Sequence, residues 1–249
     1  MIYKEALIKR LTAFADDELL LAQRNAEWVG HAPLLEEDIA LANITQDELG
    51  HATLFYKLRS LLDGSDPDDL VYKRSADDFR SAQLLELPRG DWAFTMLRQF
   101  FFDAYEQFLY EGLAKSSYQP LAEAAEKMRR EDKFHLQHSA LWIERLGLGS
   151  DEANERTQHA LKTLYPYSMQ LFVLSADDEL LVGEGVVPAL NQVQEKWQAL
   201  VLPHLKRSGL KAPADVSATE VDRSIHSKYL EPLLHELQSV ARTVPAEVW

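Results

Sequence analysis

The 249-residue chain has no cysteine, which excludes disulfides, thiolate zinc sites, cysteine-ligated iron–sulfur clusters and thiol nucleophiles together. Any metal it binds must sit on oxygen and nitrogen. Long apolar runs are missing as well. No stretch approaches the roughly 20 uninterrupted apolar residues that cross a bilayer, and charge interrupts the N-terminus where a secretion signal needs a greasy run. A cytoplasmic chain with no membrane contact is therefore expected. Cations are scarce beside anions: 26 Lys and Arg against 40 Asp and Glu leave a formal charge of -14, so nucleic acid is not an expected partner. Some of that excess acid is available to hold cations.

Glycine and proline number only 10 each, and many gather at positions 64–67, 88–90, 147–150 and 209–214. The long segments between them are rich in Leu, Ala, Glu, Gln and Arg, which favour helix over strand. With 46% hydrophobic residues and a mean hydropathy of -0.28, the chain can bury a sizeable core.

Apolar residues at alternating steps of four and three predict four long helices. The first, about residues 3–28, aligns Leu7, Leu11, Phe14, Glu18, Leu21, Asn25 and Trp28, and breaks at His31 to Pro33. The second, about 34–62, aligns Leu41, Ile44, Glu48, His51, Phe55, Leu58 and Leu62. The third, about 91–115, aligns Trp92, Met96, Gln99, Asp103, Glu106, Tyr110 and Leu113. The fourth, about 120–146, aligns Leu121, Met128, Asp132, His135, Ser139, Trp142 and Leu146. The connection over 63–89 is long for a hairpin and reads as a crossover, with a short helix near 76–85. Further helices are expected at about 151–174, 187–206 and 226–244. The fold class that follows is all-α: a single ferritin-like domain over 1–249, with a four-helix bundle within 3–146 and accessory helices within 151–249.

Each seam is interrupted near its middle by acid or histidine, and the interruptions form a two-fold. Glu18 is followed thirty residues later by Glu48-x-x-His51, and Asp103 twenty-nine later by Asp132-x-x-His135. Residues three apart on a helix share a face, so each acid and imidazole point to one volume. One acid from each of two helices and acid-x-x-His from each of the other two is the ligand pattern of ferritin-like di-iron and di-manganese proteins. Carboxylates bridge and neutralise a cation pair roughly 3.5–4 Å apart, while imidazole suits iron or manganese better than magnesium or calcium. The expected metal ligands are Glu18, Glu48, His51, Asp103, Asp132 and His135.

A single acid-x-x-His on a helix is usually an ordinary core pair. Two pairs, two further seam acids and near-equal spacing are not ordinary, and no Lys or Arg shares those positions to neutralise the acids. Glu106 lies one turn from Asp103 and joins or replaces it. Glu131 points about 100° off the seam, and His138 reads as a peripheral group. Asp77-Asp78, Asp177-Asp178 and Glu36 to Asp38 read as helix starts or solvated faces. Phe100, Phe101, Phe102 and Tyr105 beside Asp103 serve either as core or as the wall of an apolar substrate pocket.

Along essentially its whole length the chain resembles the subunits of bacterial phenylacetyl-CoA epoxidase, in particular the C subunit. The resemblance is carried by Glu27-Trp28, Gly30-His31-Ala32-Pro33, Leu41-Ala42-Asn43-Ile44, Glu86, Pro88, Gly90, Arg98-Gln99 and Asp103-Ala104. It continues through His135-Leu136, Trp142-Ile143-Glu144-Arg145-Leu146-Gly147 and an ending of His226-Ser227, Leu230, Pro232, Leu234, Glu236, Gln238, Arg242, Pro245 and Trp249. It implies a component of a multicomponent oxygenase of aerobic phenylacetate breakdown, homo- or hetero-oligomeric, paired with a catalytic A-type subunit that epoxidises the aromatic ring of an acyl-CoA. A separate flavin and iron–sulfur reductase would supply electrons, so this chain is expected to carry no flavin, haem or iron–sulfur cluster. In such families the C subunit is usually structural. Here, however, Gln46 to His51 and Arg130 to His135 resemble ligand segments of the catalytic subunit, with Asp at 132. The residues therefore imply a di-iron, alternatively di-manganese, carboxylate centre on a chain whose family role is that of a partner. Two other readings follow from the same residues: the chain is itself a di-iron oxidase or epoxidase, or it is a ferritin-like iron-binding protein.

Overall fold

The computed structural model describes residues 2–213, 216–218 and 222–244, so Pro245 and Trp249 of the resemblance lie outside the described residues. In chain order the helices are α1 (Ile2–Ala26), α2 (Leu35–Asp63), α3 (Pro67–Tyr72), α4 (Gln83–Glu86), α5 (Trp92–Leu113), α6 (Gln119–Gly147), α7 (Asp151–Ser168), α8 (Ala176–Gly183), α9 (Leu190–Arg207) and α10 (Leu230–Thr243), with 3₁₀ turns at Ala76–Asp78 and Met169–Phe172. No strand occurs among the described residues. The fold class is all-α, as the spacing predicts. Two compact units divide the chain, Met1–Pro88 with Asp222–Trp249, and Arg89–Val221. Each is built on one of the two long helix hairpins of the ferritin-like layout.

In the first unit, α1 and α2 run antiparallel, because contacts that advance along α2 retreat along α1. Tyr56 donates to Asp16 at 2.5 Å, and Arg59 to Thr12 at 2.8 Å. Leu7, Leu11, Phe14, Leu21, Leu41, Ile44 and Phe55 are buried along the seam, as their spacing predicts. Helix α2 stops where Gly64 takes φ +76, a conformation that glycine adopts without Cβ strain, and its N–H donates back to Ser60 O.

The connection after α2 departs from the expected single short helix. Asp66 caps α3 by accepting from the N–H groups of Asp68 (2.8 Å) and Asp69 (3.3 Å), with Pro67 at the first helical position. Residues 76–86 then form a 3₁₀ turn and the four-residue α4 rather than one continuous helix. Their backbone is held by α1: Asp16 accepts from Arg80 N and Asp17 from Ala82 N, both at 2.7 Å. A segment tied to side chains in this way need not complete a helical ladder.

In the second unit, α5 and α6 pair, and α7 and α9 pack on α5. Trp197 of α9 donates its indole N–H to Phe101 O at 2.9 Å, and its ring lies 5.4 Å from those of Phe101 and Phe172. The helix expected to reach residue 174 keeps α-geometry only to Ser168, with Pro166 inside its last turn, and tightens into the 3₁₀ turn Met169–Phe172. Helix α8 was not anticipated. It begins at a Ser175/Asp178 capping box, and α9 starts only after Pro188, at Leu190. Among the described residues, no helix is long and apolar enough to cross a membrane.

Candidate metal centre

Glu18 reaches its position because α1 turns it onto the same face as Phe14 and Leu21. Glu48 and His51 stand one turn apart on α2 and face α1. All three are buried in the first unit. His51 Nδ1 lies 3.6 Å from Glu18 Oε2 and 3.6 Å from Glu48 Oε2, too far for a good hydrogen bond. Two donors each about 2.0–2.2 Å from one cation at a tetrahedral angle stand roughly 3.4 Å apart, so the observed spacing suits ligands sharing a metal ion. All three offer donor atoms within 4.8 Å of one another.

The second unit places its corresponding residues on α5 and α6. Asp103, Glu106 and Asp132 offer oxygens mutually within 4.8 Å, and Asp103 and His135 are within the same reach. None of the four is more than 1% exposed. Gln99 donates to Asp103 Oδ1 and Ser139 to Asp103 Oδ2, both at 2.6 Å, while the Tyr110 hydroxyl donates to Glu106. Glu106, which the sequence pattern has joining or replacing Asp103, thus stands with it in one acidic group.

Such a donor set could hold a metal ion. Each buried carboxylate costs several kcal/mol to hold charged without a counter-charge, and a divalent cation is the counter-charge that acids and neutral imidazole share. The group with the expected composition fits a hard-to-borderline metal held by oxygen and nitrogen alone.

Beside Glu18 lies a second polar assembly that the seam pattern does not reveal. Asp16, Asp17 and Glu18 are consecutive and all buried. Asp16 accepts from Tyr56 and, at 2.5 Å, from Arg74. Asp17 pairs with Arg223 at 2.6 Å. Burial pushes the Asp17 carboxyl above its ordinary range, although Arg223 and the Ala82 N–H pull it down. Burial and then the Asp16 charge drive the Tyr56 phenol well above its usual value. The available signal was the run of three acids inside a helix, which cannot all point to solvent.

The remaining candidates behave as helix ends, partly exposed surface or core. Asp78 and Asp178 complete capping boxes with Ser75 and Ser175, and Glu36 to Asp38 form the first turn of α2. His138 stacks on Phe134 with centroids 6.2 Å apart. Phe100, Phe101, Phe102 and Tyr105 are buried and pack against one another and, through Phe100, Phe101 and Tyr105, against His204, Tyr165, Trp197 and Phe172, so core packing accounts for them.

Together these features define an all-helical protein with buried carboxylate and imidazole clusters able to hold metal. The chain belongs to the phenylacetic acid catabolic protein family, which it matches over residues 1–249. It is 35% identical over 248 residues to the C subunit of the 1,2-phenylacetyl-CoA epoxidase of Escherichia coli K12, covering 97% of this chain and 100% of that protein. It is also 24% identical over 216 residues to the A subunit of the same enzyme, covering 85% of this chain and 70% of that one.

Proposed function

We propose that the chain is the C-type component of a multicomponent phenylacetyl-CoA epoxidase and pairs in the cytoplasm with a catalytic A-type component, with electrons delivered by a separate reductase. The single observation that carries this reading is the full-length likeness to a C-type component. Co-expression with an A-type component, followed by size-exclusion chromatography with light scattering, tests it. A stable heteromer is the expected result, and separate elution of the two chains would overturn it.

The reading includes a dinuclear iron or manganese centre held by Glu18, Glu48, His51, Asp103, Asp132 and His135, with the two units acting as one functional domain. It is supported by the sequence two-fold, by the burial of all six side chains and by a donor set of the expected chemistry. Bound metals would supply Lewis-acid and redox chemistry. The chain's own share is to neutralise and orient them: the carboxylates balance their charge, the imidazoles fix two nitrogen positions, and the surrounding leucines and phenylalanines keep bulk water out.

A second reading, in which the chain itself oxidises an aromatic acyl thioester, is favoured by the intact acid-x-x-His pairs and by the likeness to the A-type component. Its sign is substrate oxidation by the metal-loaded chain without an A-type partner.

A further inference from the structure

The sequence two-fold that relates the ligand helices breaks at two positions. Four residues before Glu18 stands Phe14, and four residues after His51 stands Phe55. Their rings meet at 5.2 Å in the first unit. The corresponding positions in the second unit, four before Asp103 and four after His135, are Gln99 and Ser139. Both are fully buried, and both donate to Asp103, one to each oxygen at 2.6 Å.

A hydrocarbon pair in one unit is thus replaced by a pair of hydrogen-bond donors in the other, and the acid they hold is one methylene shorter than its counterpart, Glu18. A buried amide and a buried hydroxyl each cost stability unless satisfied, so their selection at these sites calls for a role that phenylalanine does not fill. Gln99 holds one oxygen of the Asp103 carboxylate and Ser139 the other, so the group is gripped at both of its acceptor atoms. The two donors come from different helices, so the plane of the carboxylate is set from both sides.

We infer that Gln99 and Ser139 are positioning residues that aim Asp103 at a bound metal ion. This rests on the proposed metal centre. Hydrogen-bond partners of metal ligands orient them, and their loss typically weakens metal binding roughly 10–100-fold.

Co(II) is the probe, because its visible absorption reports ligand geometry independently of any activity. The metal-free full-length chain, its Gln99→Leu and Ser139→Ala variants, and Ser139→Thr, which keeps the hydroxyl, are titrated with Co(II). Circular dichroism first establishes that each is folded. The expected result is binding by the unaltered chain, roughly 10–100-fold weaker binding with displaced absorption bands in Gln99→Leu and Ser139→Ala, and recovery of both in Ser139→Thr. Folded variants with unchanged affinity and bands would overturn the inference and leave the metal centre standing. No Co(II) binding by the unaltered chain would overturn both. Should Ser139→Ala fail to fold, Gln99→Leu decides alone.

Discussion

His226 Nδ1 lies 2.7 Å from Glu86 Oε1, joining residues 140 positions apart. Glu86 is fully buried and also accepts from Ser81 Oγ at 3.0 Å and Ser227 N at 2.6 Å, while its backbone carbonyl accepts from Arg24. The other ring nitrogen of His226 meets Phe79 O at 3.1 Å. One carboxylate therefore anchors the segment leading into α10 to the segment around α4. Glu86→Ala strands three donors, two of them on the C-terminal segment, and should cost on the order of 3 kcal/mol in urea unfolding. A change below about 0.5 kcal/mol would show that the anchor is redundant.

Helix α6 ends against α9 with no room to spare. A Cβ placed on Gly147 would stand 2.1 Å from the Ser208 carbonyl oxygen, a backbone atom that cannot rotate away. Gly147→Ala is expected to destabilise the chain by roughly 1–3 kcal/mol despite the better helix propensity of alanine. Thermal unfolding that matched or exceeded the unaltered protein would contradict this close approach.

His204 supplies a pH dependence. Its Nε2 donates to Ala140 O at 2.9 Å, its Nδ1 meets Arg207, and its ring lies 4.9 Å from that of Phe100. Burial, then the Arg207 charge, lowers its pKa from the ordinary 6.5. Below that ordinary value the unfolded chain takes up a proton that the folded chain resists. The stability contribution is therefore intact above it and lost as pH falls from it toward the depressed folded value. Urea midpoints measured from pH 8 to pH 5 should decline less in His204→Gln, which keeps a donor for Ala140. Parallel declines would contradict the assignment.

The long helices were legible because a buried stripe must repeat at helical period, and a polar residue on that stripe stands out. Glu18, Glu48, His51, Asp103, Asp132 and His135 are all buried, each in the unit that contains its helix. Less legible were elements set by contacts distant in sequence. The broken path over 76–86 depends on Asp16 and Asp17, and α8 on a four-residue capping box with no long apolar period behind it. Gln99 and Ser139 were visible on their seams, but their common target, Asp103, emerges only when α5 and α6 are paired.

The most direct measurement is metal content after the full-length chain is reconstituted anaerobically with Fe(II) and freed of excess ion. About two irons per chain are predicted, falling in Glu48→Ala. A folded protein that retains no iron, or retains it equally after Glu48→Ala, would contradict the centre.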